Sequence, residues 1–317
     1  MILVSDLGGT HARLALFEGG LLRADKTYPT RSHSDFGAVV RLFLREHPAS
    51  VESACFGVPG PVCGERVVLP NLPWVIERAE LVEAAGTGRV RLANDLECAA
   101  RGLPLLSLEK TAALRPASGP ERGIRAVVAA GTGLGEAVLV PAGAGWRALA
   151  SEGGHTDFGP LDELQAEFLR WMWREHPRPT YELVLSGPGL TRIARFLRER
   201  GGEAADPALD AHDAGSAVIE LGMSGRSALC RHALELFAAV YVAEAANVAV
   251  QYLASGGVFL WGGIAPRILP LLRKVVDDGA FTAKVKMRGF LEGVPLRVVL
   301  DERLGLLGAA ALASEQE

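Results

Sequence analysis

Short apolar runs along the chain alternate with glycine-bearing breaks, and the spacing of the apolar positions separates strands from helices. Residues 2–4 and 14–17 are apolar on either side of Asp6-Leu7-Gly8-Gly9-Thr10, which predicts a β-hairpin around a glycine turn. Residues 21–29 can add a third strand. Phe36, Val39, Val40, Phe43 and Leu44 recur at helical spacing and predict a helix over 34–47. A strand over 51–58 is closed by Pro59-Gly60-Pro61, which must turn. Residues 70–74 form a proline-ringed loop that neither helix nor sheet ladder tolerates. A short strand over 89–93 then runs into a helix opened by Asn94-Asp95 and ended at 102–104.

The strand–glycine–strand pattern recurs once, as apolar 126–130, then Gly131-Thr132-Gly133-Leu134-Gly135, then apolar 137–140. The polar connection over 104–123 carries proline and glycine and marks a domain boundary near its start. Glu152-Gly153-Gly154-His155 follows the second hairpin, and its glycines oppose a helix. Pro160 opens an amphipathic helix reaching Met172. Glu182 precedes a glycine elbow, Ser186-Gly187-Pro188-Gly189, that leads into a helix through Ile193, Phe196 and Leu197. Residues 201–213 form a polar surface loop. The segment 226–255 predicts a long alanine-rich helix, apolar nearly all round and therefore buried, capped by Gly256-Gly257. A strand over 258–261 meets Gly262-Gly263-Ile264-Ala265-Pro266 and a helix from Arg267, before a last strand over 295–300 and a helix over 304–313.

With 317 residues, 49% of them apolar and 22% charged, the chain can bury a large core and build two domains. A net charge of −4 gives no electrostatic case for nucleic acid. Cys55, Cys63, Cys98 and Cys230 lie far apart without zinc-ligand spacing, which argues against structural zinc and a disulfide framework and fits a reducing cytoplasm. No basic-then-apolar leader precedes the first strand. The uncharged run 245–266 is interrupted by Gln251 and Ser255-Gly256-Gly257, so it is expected in the core and not in a membrane.

Candidate chemistry concentrates at the glycine breaks. Glycines let backbone N–H groups approach an anion closely, and two such turns suggest a phosphate chain gripped from both sides. Either one alone reads more readily as an ordinary tight hairpin, and it is the pairing that favours nucleotide binding. Asp6, at the mouth of the first, is placed to hold Mg²⁺ through water. Asp95 lies at the end of a strand and the start of a helix, where α/β enzymes place chemistry, while Asn94 or Asp95 also reads as a plain helix cap. Glu152 and His155 on their glycine loop suit a polyhydroxy ligand, or a solvated turn.

Taken together, DLGGTHARLAL at 6–16, LANDLECAARG at 92–102, AGTGLGEA at 130–137, EGGHTDFGP at 152–160, ELVLSGPGL at 182–190, GGIAPRI at 262–268 and LGLLGAAALA at 304–313 resemble the bacterial glucokinase family of the sugar kinase/Hsp70/actin superfamily. The resemblance runs nearly end to end. It implies an α/β, two-domain actin/hexokinase-like ATPase fold with an interdomain active-site cleft, divided into a small domain of 1–104 with 297–317 and a large domain of 105–296. It further implies ATP-dependent, Mg²⁺-assisted transfer of the γ-phosphoryl group to the 6-hydroxyl of glucose in the cytoplasm, as entry to glycolysis. Asp95 would be the catalytic base, with Asn94, Glu152, His155 and Glu182 around the sugar. Ser5, Asp6, Leu7, Gly8, Gly9 and Thr10, together with Gly131, Thr132, Gly133 and Gly135, would hold the phosphates, and Gly262, Gly263 and Ile264 the adenosine. A homodimer is the family's expectation. The chain departs from the family's usual residues at Ser5, His11 and Ala130, where Gly, Asn and Pro are common.

The nearest alternative is a kinase of another hexose or an N-acetylhexosamine on the same fold. The related ROK group usually carries a cysteine-rich zinc motif, absent here, and no helix-turn-helix precedes Met1 to suggest a sugar-sensing regulator. Gly131-x-Gly-x-Gly135 opens a strand-like run and is not the dinucleotide fingerprint, and no Gly-Lys pair provides a P-loop.

Overall fold

The computed structural model describes residues 1–69, 72–116, 119–201, 209 and 214–315. Strands β1 (Ile2–Leu7), β2 (His11–Glu18) and β3 (Leu21–Pro29) form an antiparallel meander with Leu7 opposite Ala12. Helix α1 (Phe36–Glu46) starts after Asp35, whose carboxylate accepts the Ala38 amide as its cap. The wholly buried β4 (Ser53–Val58) runs parallel to β1. A two-stranded ribbon of β5 (Arg66–Val68) and β6 (Val75–Glu77) leads to α2 (Arg78–Ala85), β7 (Val90–Asn94) and α3 (Asp95–Gly102).

Strands β8 (Thr111–Arg115), β9 (Arg125–Ala130), β10 (Leu134–Ala142) and β11 (Gly145–Ser151) come next, followed by α4 (Glu163–Met172), α5 (Gly187–Gly201), α6 (Ala214–Met223) and α7 (Ala228–Gln251). The chain closes with β12 (Gly257–Trp261), α8 (Leu269–Asp277), α9 (Arg288–Glu292), β13 (Leu296–Val299) and α10 (Leu304–Ser314). One sheet has five strands in the order β3-β2-β1-β4-β7, the other six in the order β11-β10-β9-β12-β13-β8.

Contacts divide the chain into two compact units. The first comprises Met1–Leu108, Ala137–Ser151 and Asp301–Glu317, and the second Glu109–Glu136 and Glu152–Leu300. The sequence draws the line near 104 and 297 and leaves 137–151 with the large domain. In the structure β11 packs on α3 and so joins the first unit, while β13 is hydrogen-bonded to β12 and stays in the second.

In the first unit, alternation along β1 sends Leu3 and Leu7 into a core with Phe36, Phe43 and Phe56, and Val4 to the opposite face with Cys55, Cys98 and Leu306. Helices α3 and α10 pack so closely that a Cβ on Gly308 would lie 1.7 Å from the Cys98 carbonyl oxygen. Only glycine permits that approach, which seats α3 against the sheet. In the second unit α7 is the central element, packed by α5, α6 and α8. It is long and apolar enough to cross a membrane, with mean hydropathy 1.6, yet 72% of that stretch is buried in the unit. Its packing within the unit matches a core helix.

Several elements depart from the sequence expectation. Strand β8 lies within the stretch read as a polar connection, because an edge strand needs only one buried face and Leu114 is its one fully covered residue. Strand β11 and helix α2 were likewise not expected: β11 has no buried residue, and α2 buries only Leu81, Ala84 and Ala85. Asp162, and not Pro160, starts α4 by accepting the Gln165 amide at 2.8 Å. Helix α7 ends at Tyr252, before Gly256-Gly257, and Leu253 turns the chain with φ of 49°. The loop expected over 201–213 lies outside the described residues apart from 201 and 209.

Candidate active site

In the first unit the β1–β2 turn is braced by backbone. The Gly8 amide donates to the His11 carbonyl at 2.8 Å, and Thr30 donates to Gly9 and Thr10 through its hydroxyl and amide, at 3.1 and 3.0 Å. Ser5 and Leu7 are fully buried, Ser5 with an unpartnered hydroxyl, so their side chains are structural. Gly8, Gly9 and the exposed Thr10 carry the accessible part of the turn. Asp6 lies opposite Arg13 on β2 and Gly57 on β4. Burial pushes its carboxyl up to about 6, against the pull of the Arg13 guanidinium. Arg13 itself is bonded to Asp25.

At the β7–α3 junction the two polar residues divide the work. Asn94, 5% exposed, is the cap: its Oδ1 accepts the amides of Leu96 and Glu97 at 2.9 and 3.1 Å. Its Nδ2 donates to the Gly60 carbonyl at 3.1 Å, tying the Pro-Gly-Pro turn to the helix start. Asp95 is therefore the first helical residue, half-buried, with its Oδ1 accepting the Leu96 amide at 2.9 Å.

The second unit brings together stretches that are distant in sequence. The Gly131 amide donates to the Gly133 carbonyl at 2.9 Å, closing the second glycine turn, and the Gly187 amide donates to the Gly131 carbonyl at 2.8 Å. Glu182 accepts the Leu134 amide at 3.0 Å. A Cβ on Gly133 would fall 2.4 Å from that carboxylate, so a larger residue there would displace Glu182 from its place against the turn. His155 Nε2 lies 3.8 Å from Glu152 and Nδ1 4.0 Å from Glu182. Those distances exceed a hydrogen bond, and the Glu152 and His155 side chains are 49% and 56% exposed. A ligand hydroxyl can therefore compete for all three. Gly262, at φ 93°, approaches the Ala130 carbonyl, which sets the Gly262-Gly263-Ile264 loop beside the turn. Gly263 is exposed, Ile264 is 5% exposed, and Thr132 projects to solvent.

Beneath this turn lie residues not foreseen from the sequence: Glu136, Tyr181, Tyr241, Glu244 and Asn247, hydrogen-bonded to each other or to the turn's flanks. The available signal was a lone glutamate in an apolar strand and another in an apolar helix. For a divalent cation, no group of three or more His, Cys, Asp or Glu occurs among the described residues. One carboxylate, Asp6, fits Mg²⁺, which binds few protein ligands and completes its shell with water and phosphates.

The solved structures that superpose on the chain are sugar kinases of the actin-like ATPase fold. A glucokinase from an Antarctic psychrotroph matches with a TM-score of 0.84 at 29% identity, covering 98% of each chain. A ROK family glucokinase from Streptomyces griseus, in complex with glucose and AMPPNP, matches at 0.68 and 20% identity over 98% of this chain and 99% of that one. The glucokinase family model matches residues 3–316. A Synechocystis glucokinase is 33% identical over 99% of this chain and 98% of its own length. The chain belongs to the glucokinase family, the ATP-dependent kinases of glucose.

Proposed function

We propose that this chain transfers the γ-phosphoryl group of ATP to the 6-hydroxyl of glucose, with Asp95 as the base. The observation that carries the assignment is the division at the β7–α3 junction: Asn94 supplies the helix cap, so Asp95 is not required for it. Asp95 accepts the hydroxyl proton as that oxygen attacks the γ-phosphorus in line. Glu152, His155 and Glu182 bind and orient the sugar hydroxyls, and Asn94 assists from the cap. Polar residues around hydroxyls discriminate sugars because a missing partner leaves a desolvated group unpaired, a cost of about 1–3 kcal/mol. The two glycine turns, 8–10 and 131–135, would hold the phosphates through amides other than those of Gly8, Gly131 and Leu134, which are bonded within the fold, and 262–264 would hold the adenosine. Mg²⁺, when bound, spreads the charge of the phosphates, and Asp6 would hold it through water. The four cysteines are free thiols, which accords with a reducing, cytoplasmic setting.

A coupled assay over a panel of hexoses, N-acetylhexosamines and phosphoryl donors tests this. Glucose with Mg·ATP is expected to give the highest kcat/KM. ATP consumption indifferent to every sugar would overturn the proposal, and a higher value for another sugar would reassign the substrate.

A further inference from the structure

Tyr241, Glu244 and Asn247 recur at three-residue steps along α7 and so share one helical face. Each reaches the surroundings of the 131–135 turn. The Tyr241 hydroxyl, fully buried, accepts the Ala130 amide at 3.2 Å and donates to the Val128 carbonyl at 2.9 Å, with the Trp261 carbonyl also near at 3.3 Å. Glu136, which stands just past the turn on β10, faces Glu244, and both are 2% exposed. Asn247 Nδ2 donates to Glu244 at 2.7 Å and to the Tyr181 hydroxyl at 3.0 Å, while its Oδ1 accepts from Lys284 at 2.5 Å. Tyr181 directly precedes Glu182, whose carboxylate holds the Leu134 amide inside the turn. The turn is thus tied before, within and after its glycines, and the ties through Ala130, Glu136 and the neighbour of Glu182, Tyr181, lead to one face of α7.

Two carboxyls that are 2% exposed and face each other cannot both ionise cheaply, so one keeps a proton and can donate it to the other. We infer that Glu136 and Glu244 share a single proton and act as a positioning pair, their hydrogen bond holding the 131–135 turn and Glu182 in the arrangement that binds substrate. The inference rests on the proposed roles of that turn and of Glu182. With one proton the pair carries one negative charge, which the Lys284 ammonium balances across Asn247; without it, two negative charges face each other beside one cation. The ionisable groups facing the pair are Tyr241 on α7, Tyr181 and Lys284. Burial, then the charge and hydrogen bond of Glu244, pushes the Glu136 carboxyl up to about 8. Glu244 is also raised by burial, against its hydrogen bonds from Asn247, Tyr181 and Glu136 and the Lys284 charge. One Glu136 oxygen has no partner, so the pair gains nothing by opening unless the proton leaves.

The test compares the wild-type chain with Glu136→Gln, whose amide N–H still donates to Glu244 but cannot titrate. Two readouts are taken from pH 7 to pH 9: kcat/KM, and hydrogen-exchange protection of the Ala130 and Leu134 amides, corrected for the intrinsic base-catalysed rate. In wild type, kcat/KM should fall about tenfold for each pH unit above the pair's pKa, with protection of both amides falling in step. Glu136→Gln should keep kcat/KM at pH 7 within about threefold and show neither alkaline loss. Lys284→Met, which removes the balancing charge and the donor to Asn247, should move the wild-type limb to higher pH, because the pair then holds its proton more tightly. The same alkaline loss of protection in wild type and Glu136→Gln, or an unmoved limb in both variants, overturns the inference. Protection that behaves as expected in a chain without hexose kinase activity would uphold the pair and overturn the proposed function instead.

Discussion

In the first unit the proposed site residues are fastened by backbone and by Asn94, whereas in the second unit they are fastened by carboxylates. At the β7–α3 junction Asn94 spends both ends of its side chain on the helix cap and Gly60, so the cap does not depend on Asp95. Around the second glycine turn, Glu182 is both a proposed sugar ligand and the acceptor that holds Leu134. One region separates support from proposed chemistry into neighbouring residues, and the other merges the support and the proposed sugar contact in one. Mutations should therefore behave cleanly in the first and be entangled in the second.

The largest expected effect breaks the chemistry on the clean side. Asp95→Asn should lower kcat by about 10²–10⁴-fold, with the melting temperature and glucose affinity nearly unchanged, since the cap remains on Asn94. Steady-state kinetics with calorimetric glucose binding check this; full activity would remove Asp95 from the role of base.

On the entangled side the contrast should appear between two substitutions of one residue. Glu182→Gln retains an acceptor for Leu134 and should raise the KM for glucose by about 5–100-fold, with that for ATP little affected. Glu182→Ala also frees the turn, and should raise both. Equal effects of the two variants on both substrates would mean that Glu182 only supports the turn.

A smaller effect is expected at Asn94. Asn94→Ala loses the cap and should cost about 1 kcal/mol of stability by chemical denaturation, while Asn94→Asp, another good cap, should recover most of it. If the loss in glucose affinity is likewise recovered, Asn94 acts on the sugar mainly through α3.

The last effect is a slope. Glu136 in the folded chain holds its proton to about pH 8, whereas its ordinary value is 4.5. The folded state thus binds more protons than the unfolded across that window, so stability should decline as pH rises from about 4.5 to about 8. Glu136→Gln should flatten that decline, on the order of a few degrees in Tm across the window. An unchanged slope would mean that the pair does not titrate there.

Much of the site was legible because glycine turns and strand–helix junctions are local events. Gly131-Thr132-Gly133 between two apolar runs, and Asn94-Asp95 between a strand and a helix, carry their conformations in a few adjacent residues. Which of Asn94 and Asp95 caps α3 was not legible, since both are good caps. The choice came from the backbone angles and from the Gly60 carbonyl waiting for an amide donor. Strands β8 and β11 escaped for a different reason: with few or no buried residues, they are strands only because neighbours offer a ladder.

By itself the sequence determined the hairpins, the buried α7, the glycine turns and the family to which the chain belongs. All of these rest on residue order, hydrophobic period or turn chemistry within short windows. Only the tertiary structure decided that 137–151 joins the first unit, that Glu182 reaches Leu134, and that Glu136 meets Glu244. Such pairings depend on where separate elements come to rest, and a buried carboxyl's proton depends on the groups packed around it, which no local pattern specifies.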